Sequence, residues 1–396
     1  MANTLNLGTD GNWGTKEGSV LGYNSENGNF KPLPFNFTRD TIATRVNKDG
    51  LIEVVGNNEP RIDYKDNSEG ALLLEPSRTN YLPKSERLDQ WPTASNATVE
   101  YGFPDPFKGN KAVKATSSST AQSYQIYWGF TSANTYNLSV YAKRGTAKIF
   151  RIDFAIPDNG YFLVNLETGE SAGTSSFSGM INTKIEPLDN DWYRISLTST
   201  TESPNYVRMG ANNQEGFLYM AFAQVEIGTY PTSYIPTSGS IGTRSAESSS
   251  QTPPDGIIGQ TEGTLYWEVD FGINDNLEYP AIFLWDGTSS NRILIQKRGD
   301  LSTLQYQVNV SGNTQSSEIG STIIGSGIVK IAIAYKENDF VCYLNGSQET
   351  SDTSGITYSG ALSKISFANV RHDKTSKVLL YNTRLSNAEL AALTSN

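Results

Sequence analysis

Apolar and polar residues alternate with a period of two through much of this 396-residue chain. In "YNLSVYAKR" (136–144), Leu138, Val140 and Ala142 alternate with polar neighbours. In "KIFRIDFAI" (148–156), Phe150, Ile152 and Phe154 fall on one side, and Ile149, Arg151 and Asp153 on the other. "YFLVNLETGES" (161–171) runs a strand into a Thr-Gly turn, and "DWYRISLTST" (191–200) and "GFLYMAFAQVEIG" (216–228) add two more. Short alternating runs at this spacing predict an antiparallel sandwich over 69–246. The rhythm pauses at "ESSSQTPPD" (247–255), whose Ser and Pro content predicts a linker over 247–260. It resumes in "GTLYWEVDFGI" (263–273), "YPAIFLWDG" (279–287), "NRILIQKRG" (291–299), "TLQYQVNVSG" (303–312), "GIVKIAIAYKENDFVCYLNG" (327–346) and "SKISFANV" (363–370). These runs predict a second sandwich over 261–396, expected to fold on its own. One helix is predicted, at "SNAELAAL", where Ser386 and Glu389 fit a capping box and Leu390 and Leu393 share a face.

Residues 1–68 read differently. They are rich in Gly and Asn with spaced aromatics ("GNWG", "LGYN", "FKPLPFNF") and offer few alternating runs. This texture predicts an extended arm with short hairpins, which has too little apolar material for a core of its own and needs a partner surface. The fold class is therefore all-β: an N-terminal extended arm, two antiparallel β-sandwich (jelly-roll) domains and a short C-terminal helix.

Composition narrows the chemistry. A single cysteine, Cys342, excludes an intramolecular disulfide and argues against a cysteine-built zinc site. A single histidine, His372, sits in the polar stretch "NVRHDKTSK" and reads as solvated, leaving little scope for histidine-dependent catalysis. The net charge of −10 comes without clustered Lys and Arg, which speaks against a nucleic-acid partner. No apolar run approaches the ~20 residues of a bilayer-spanning helix, so no membrane insertion is expected. The N-terminal residues lack a basic-plus-apolar signal pattern. "LDNDW" (188–192) reads as a turn before a strand rather than a calcium loop, because the remaining ligands of such a loop are missing. No carboxylate pair lies in a motif diagnostic of glycoside hydrolysis. The expectation is a non-enzyme without cofactor or metal.

Sugar binding needs aromatic faces with polar neighbours. "SYQIYWG" (123–129) offers Tyr124, Tyr127 and Trp128, and "FLWDG" offers Trp285. Alternation sets Tyr124 and Trp128 on one face and Tyr127 on the other, without saying which face is core. Each of these aromatics is a candidate glycan platform, with burial in the sandwich core as the alternative.

"GALLLEPSRTNYLP" (70–83) stands before the first predicted sandwich, and "QVEIGTYPTSYIPTSGSIGTRSAE" (224–247) stands after its last strand. Together they resemble bracketing elements of a family of bacteriophage virion proteins, in which a GxLLEP-x-RTN-like element precedes a jelly-roll module and a TSYIPT-then-TR element closes it. "FTRDTIATRVNKDGLIEVVGNNEPRIDY" (37–64) looks like that family's upstream segment, so the resemblance spans roughly 35–247. The enclosed module is similar to carbohydrate-binding jelly rolls. Residues 262–396 resemble laminin-G or concanavalin-like sandwiches. The resemblance implies a structural virion protein, assembled in the host cytoplasm, whose arm docks on other virion proteins. It is either a tail or tail-fibre component binding host surface polysaccharide, or a head fibre or capsid decoration protein. It would act as a homo-oligomer. The two brackets are expected to meet in space, with the Ala71–Leu74 run forming a buried strand that precedes or joins the first sheet. A buried Arg78 at this corner would need a carboxylate, for which Glu75 and Glu226 are the candidates; a surface turn is the alternative.

Overall fold

The computed structural model describes residues 3–8, 13–16, 18–24, 31–120, 123–128, 134–155, 160–175, 179–201, 206–272, 279–325, 327–367 and 373–395. The fold is all-β with one α-helix among these residues, Asn387–Thr394. Two compact units emerge. The first combines Met1–Lys48, Val55–Ser77 and Ser245–Asn396; the second combines Asp49–Val54 with Arg78–Arg244.

The first unit is an antiparallel sandwich woven from both ends of the chain. One layer runs through Asn313–Ile319, Leu304–Val310, Arg292–Lys297, Ala281–Trp285, Lys364–Phe367, Ser248–Gln251, Lys31–Thr38 and Ser19–Asn24. The other runs through Ser347–Asp352, Asp339–Leu344, Ile328–Lys336, Glu262–Asp270 and Asp373–Tyr381. Along the free edge of Asp373–Tyr381 lie two N-terminal strands end to end. Leu5–Leu7 pairs with Val378–Leu380, and Leu72–Leu74 pairs with Asp373–Thr375. Between the layers lies one apolar core, to which Leu5, Leu7, Val20, Leu33, Phe35, Phe37, Ile62, Leu72 and Leu74 contribute alongside Trp267, Ile282, Ile295 and Ile333.

This arrangement corrects two sequence expectations. Of residues 1–68, all but 49–54 belong to the first unit, where their core residues pack with the C-terminal sandwich of the same chain rather than forming a separate docking arm. The stretch 247–255 is no linker either. Ser248–Gln251 is an interior strand, hydrogen-bonded between Lys31–Thr38 and Lys364–Phe367. The Ala71–Leu74 run is buried throughout, as expected, but it joins the first unit's sheet rather than the 69–246 sandwich.

A fully buried charge cluster ties these segments together. Glu247 accepts from Arg39 Nη1 at 2.7 Å, from Arg61 Nε at 2.7 Å and from Arg61 Nη2, while Arg61 Nη2 also meets Glu75 at 2.8 Å. Burial opposes the charge on Arg61, but Glu247 and Glu75 outweigh it and hold the guanidinium above its ordinary value. The C-terminal helix starts on the predicted capping box. Ser386 accepts from the Glu389 N–H, the Glu389 carboxylate accepts from the Ser386 N–H, and Leu390 is buried.

Lys297 is the exception in this core. Its side chain is buried, its ammonium has no hydrogen-bond partner among the described residues, and it lies 5.4 Å from the Phe271 ring centroid. Burial pushes the amine down to about 8, with the Asp270 charge pulling partly the other way. A lysine depressed in the folded state releases its proton earlier there than in the unfolded chain. Its penalty is therefore full below pH 8 and is relieved as pH rises toward the unfolded value of about 10.4. Lys297→Met is expected to stabilise the protein at pH 7 by about 1–3 kcal/mol, a figure discounted for water reaching the site. The gain should shrink between pH 8 and 10. Urea melts of both proteins across that window check this, and a variant less stable than wild type at pH 7 would refute it.

The second unit is a two-layer sandwich. Its six-stranded sheet has the order Ala97–Phe103, Ala112–Ser117, Gly216–Ile227, Asn134–Arg144, Trp192–Thr201 and Met180–Pro187. Its five-stranded sheet has the order Ser123–Trp128, Tyr206–Ala211, Ile149–Ala155, Gly160–Asn165 and Glu170–Thr174. Leu138, Val140 and Ala142 meet Phe150, Ile152 and Phe154 in the core, on the faces that the alternation predicted. On the opposite side of Ile149–Ala155, the buried Asp153 is held by Arg151 at 2.6 Å and Arg208 at 2.7 Å.

Candidate functional site

The two bracketing elements meet in the second unit. Arg78–Asn80 pairs with Gly242–Arg244, and the Thr79 and Thr243 hydroxyls lie 2.8 Å apart. Asn80 is buried. Its amide donates to Ile235 O at 3.0 Å, and its side-chain oxygen accepts from the N–H groups of Leu82 and Val225. The segment 229–237 then packs on polar side chains of the six-stranded sheet. Arg194 donates to Thr232 O at 2.6 Å, Thr198 to Thr229 O at 3.0 Å, and the Ile235 N–H to Gln224 Oε1 at 2.6 Å. Tyr234 shares a 2.6 Å hydrogen bond with Ser85 and packs its ring among Tyr141, Phe107 and Phe222.

Each of the two candidate carboxylates at the corner has partners of its own. Glu75 belongs to the first unit and is engaged by Arg61. Glu226 is buried in the second unit, where it accepts from Gln224 at 2.7 Å and from the Thr232 N–H at 2.9 Å. Arg78 is half-buried, with its guanidinium 5.5 Å from the Tyr230 ring centroid.

Another stretch of the same sheet is open. Strand register sets Lys114, Tyr219, Lys143 and Trp192 in one row across four strands. A cavity of about 490 Å³ lies at the Tyr219–Trp192 end of this row. Its walls are the loop 104–110, the turn 188–190 and residues 50–52. The loop is rigidly shaped, because the Asp105 carboxylate accepts from the N–H groups of Phe107, Gly109 and Lys111 at 2.8, 3.0 and 2.8 Å. A Cβ on Gly109 would stand 2.7 Å from that carboxylate, so the position requires glycine. The turn 188–192 forms as the sequence suggested, with Asn190 at φ 60. Lys143 Nζ donates to Asn190 O at 2.6 Å, which fixes the turn over the sheet.

The lining is mixed in character. Leu51 gives apolar surface backed by the buried Trp192, Ile52 and Pro106, Tyr219 presents a half-buried ring, and Asn110, Lys108, Lys143, Asn190 and Asp189 supply donors and acceptors. Tyr219 is braced by Phe103 and Phe217, with centroids 5.5 and 5.6 Å away. A flat ring with convergent polar groups suits the apolar face and hydroxyl edge of a sugar. Both Asp105 oxygens are occupied by the loop, so this carboxylate serves structure. Among the described residues, no group of three or more His, Cys, Asp and Glu is placed to hold a metal ion.

Of the groove, sequence reasoning singled out only 188–192, and that as a turn rather than as part of a binding site; the Pro-Asp-Pro and Lys-Gly-Asn pattern of 104–110 carries a strong loop signal. The side chains of Tyr124, Tyr127 and Trp128 lie outside the described residues, as does His372; the backbone of Ser123–Trp128 pairs with Tyr206–Ala211. Trp285 lies in the first unit. It is half-buried and donates its indole N–H to Ser366 Oγ at 2.9 Å.

No protein-family model matches the chain, and no curated protein matches it. Among solved structures it is similar to the CBM40 of the Ruminococcus gnavus IT-sialidase bound to α2,3-sialyllactose, at 12% identity over 35% of this chain and 84% of that one, with a TM-score of 0.31. It is similar to domain 4 of AbnA, a GH43 extracellular arabinanase from Geobacillus stearothermophilus, in complex with arabinotriose, at 13% identity over 38% of this chain and 73% of that one, with a TM-score of 0.32. It is also similar to the Caenorhabditis elegans galectin LEC-6, at 13% identity over 32% of this chain and 86% of that one, with a TM-score of 0.25.

Proposed function

We propose that this protein is a non-catalytic, glycan-binding appendage of a bacteriophage virion, most simply a tail or tail-fibre component. The observation that carries the binding role is the cavity beside Tyr219, which joins an aromatic ring to a rim of amides and lysines on a rigid sheet. The virion assignment is supported by the bracketing motifs, whose expected meeting accompanies the Arg78–Asn80 and Gly242–Arg244 ladder. In this reading a pyranose lies against Tyr219 while Asn110, Asn190 and Lys143 meet its hydroxyls. Tyr219→Ala is expected to weaken binding on a glycan array at least tenfold while the melting temperature stays within a few degrees, because the ring is half-exposed. If the variant binds every glycan as wild type does, the groove is not the site. Immunogold labelling of virions tests the location. Label confined to capsids would favour a head fibre or decoration protein, and unlabelled virions would remove the virion assignment.

A further inference from the structure

The first unit carries a second surface with its own chemistry. Phe283 and Trp285 are both half-buried, while Ile282 and Leu284 between and beside them enter the core. Their rings, with centroids 5.6 Å apart and planes tilted by 33°, make one aromatic strip along the outside of the strand. Donation to Ser366 Oγ at 2.9 Å holds the Trp285 indole in place. Strand register puts Lys364 directly opposite Trp285 on one side and Arg292 directly opposite on the other. Beyond Arg292 the face continues in amides. Arg292 donates to Gln307 Oε1 at 2.6 Å, and Gln296 to Gln305 Oε1 at 2.7 Å.

The two cations differ from the salt-bridged ones of this unit. Elsewhere in this unit Arg298, Arg384, Lys336 and Lys374 each meet a carboxylate. Among the described residues, Lys364 and Arg292 meet none. Lys364 has only the indole, 5.9 Å from its centroid, and Arg292 Nε is buried without a partner. In a chain of net charge −10, two cations flanking an aromatic strip without a counter-ion leave a place for an anion.

We propose that this face is a second saccharide site, distinct from the groove, and that it takes an acidic polysaccharide whose pyranose rings carry carboxylates. One ring stacks on Trp285. Adjacent strands stand about 5 Å apart, so a carboxylate at either edge of that ring comes within reach of Lys364 or Arg292. Lys364 has a flexible stem and exchanges its place over the indole for an ion pair at the ring edge. Phe283, roughly 7 Å along the strand, supports the next sugar, and the glutamine row meets the hydroxyls.

The test uses the full chain with galacturonic acid trisaccharide and, as neutral control, galactose trisaccharide, followed by calorimetry. The acidic sugar is expected to bind at least tenfold more tightly than the neutral one, and its affinity should fall as salt is raised from 50 to 500 mM. Lys364→Gln and Arg292→Gln should each weaken it about fivefold, Trp285→Ala should abolish it, and Tyr219→Ala in the groove should leave it unchanged. Should Trp285→Ala lower the melting temperature sharply, the half-exposed Lys364→Gln carries the decision. Equal affinity for the two trisaccharides, no binding of the acidic one, or an unaltered affinity in Lys364→Gln would each overturn the proposal.

Discussion

A fragment beginning at Thr261 is expected to show no cooperative unfolding transition, although its sequence alone reads as a complete sandwich. The fragment lacks Leu5, Leu7, Val20, Leu33, Phe35, Phe37, Ile62, Leu72 and Leu74, all of which belong to its core. Fully burying one such side chain is worth roughly 1.5–3 kcal/mol. Nine of them together exceed the roughly 5–15 kcal/mol that separates a folded domain from its unfolded chain. The fragment also exposes the backbone edge of Asp373–Tyr381, where Leu5–Leu7 and Leu72–Leu74 had paired, which invites aggregation. Lys374 loses Asp63 and Asp66 as well. The informative control keeps both ends of the chain and removes the middle. The Glu247 N–H donates to Glu75 O at 3.1 Å, so the chain leaves the first unit after Ser77 and returns at Ser245 through neighbouring strands. Replacing Arg78–Arg244 with a short Gly-Ser bridge should therefore give a protein that melts cooperatively. Circular dichroism melts of the two proteins decide the matter. A Thr261 fragment with a sharp transition near that of the bridged protein would show that the N-terminal strands are dispensable.

What the sequence revealed and what it hid have physical causes. The strands of 136–228 were legible because one face packs on apolar side chains while the other, although also buried, is lined largely by polar ones such as Asn137, Ser139, Arg151 and Asp153, which leaves the alternation visible in Leu138–Ala142 and Phe150–Phe154. The helix was legible because its cap is local, Ser386 and Glu389 being three residues apart. The brackets were legible only through resemblance, since their contact spans more than 150 residues in the case of Asn80 and Ile235. The N-terminal strand Lys31–Thr38 was masked by its prolines. Leu33, Phe35 and Phe37 point into the core in clean alternation, yet Pro32 and Pro34 read as breakers. Ser248–Gln251 was hidden more completely, because a strand without apolar residues carries no hydrophobic period at all. The groove escaped because its walls come from residues 50–52, 104–110 and 188–192, which no local pattern connects.

Glu247→Ala is expected to cost about 3–5 kcal/mol, the range for removing one partner of a buried ion pair. Glu247 is one of two carboxylates in a buried cluster with two guanidinium groups, whose charges balance. Its two oxygens accept from Arg39, from two nitrogens of Arg61 and from the Glu75 N–H at 2.9 Å. Removing them takes one of the two described carboxylates away from two buried cations. Arg39 also donates to the carbonyls of Thr41, Gly56 and Glu59, and Arg61 to that of Thr44, neutral groups that cannot replace a charge. The control removes one charge of each sign. Arg39→Met with Glu247→Leu leaves Arg61 facing Glu75 in a neutral pair, and this double variant should be less destabilised than the sum of its single variants. Urea melts of the four proteins measure the coupling. A strictly additive double variant, or a Glu247→Ala cost within roughly 0.5 kcal/mol of zero, would mean that water reaches the cluster and that hydrophobic packing alone joins the N-terminal strands to the C-terminal sandwich.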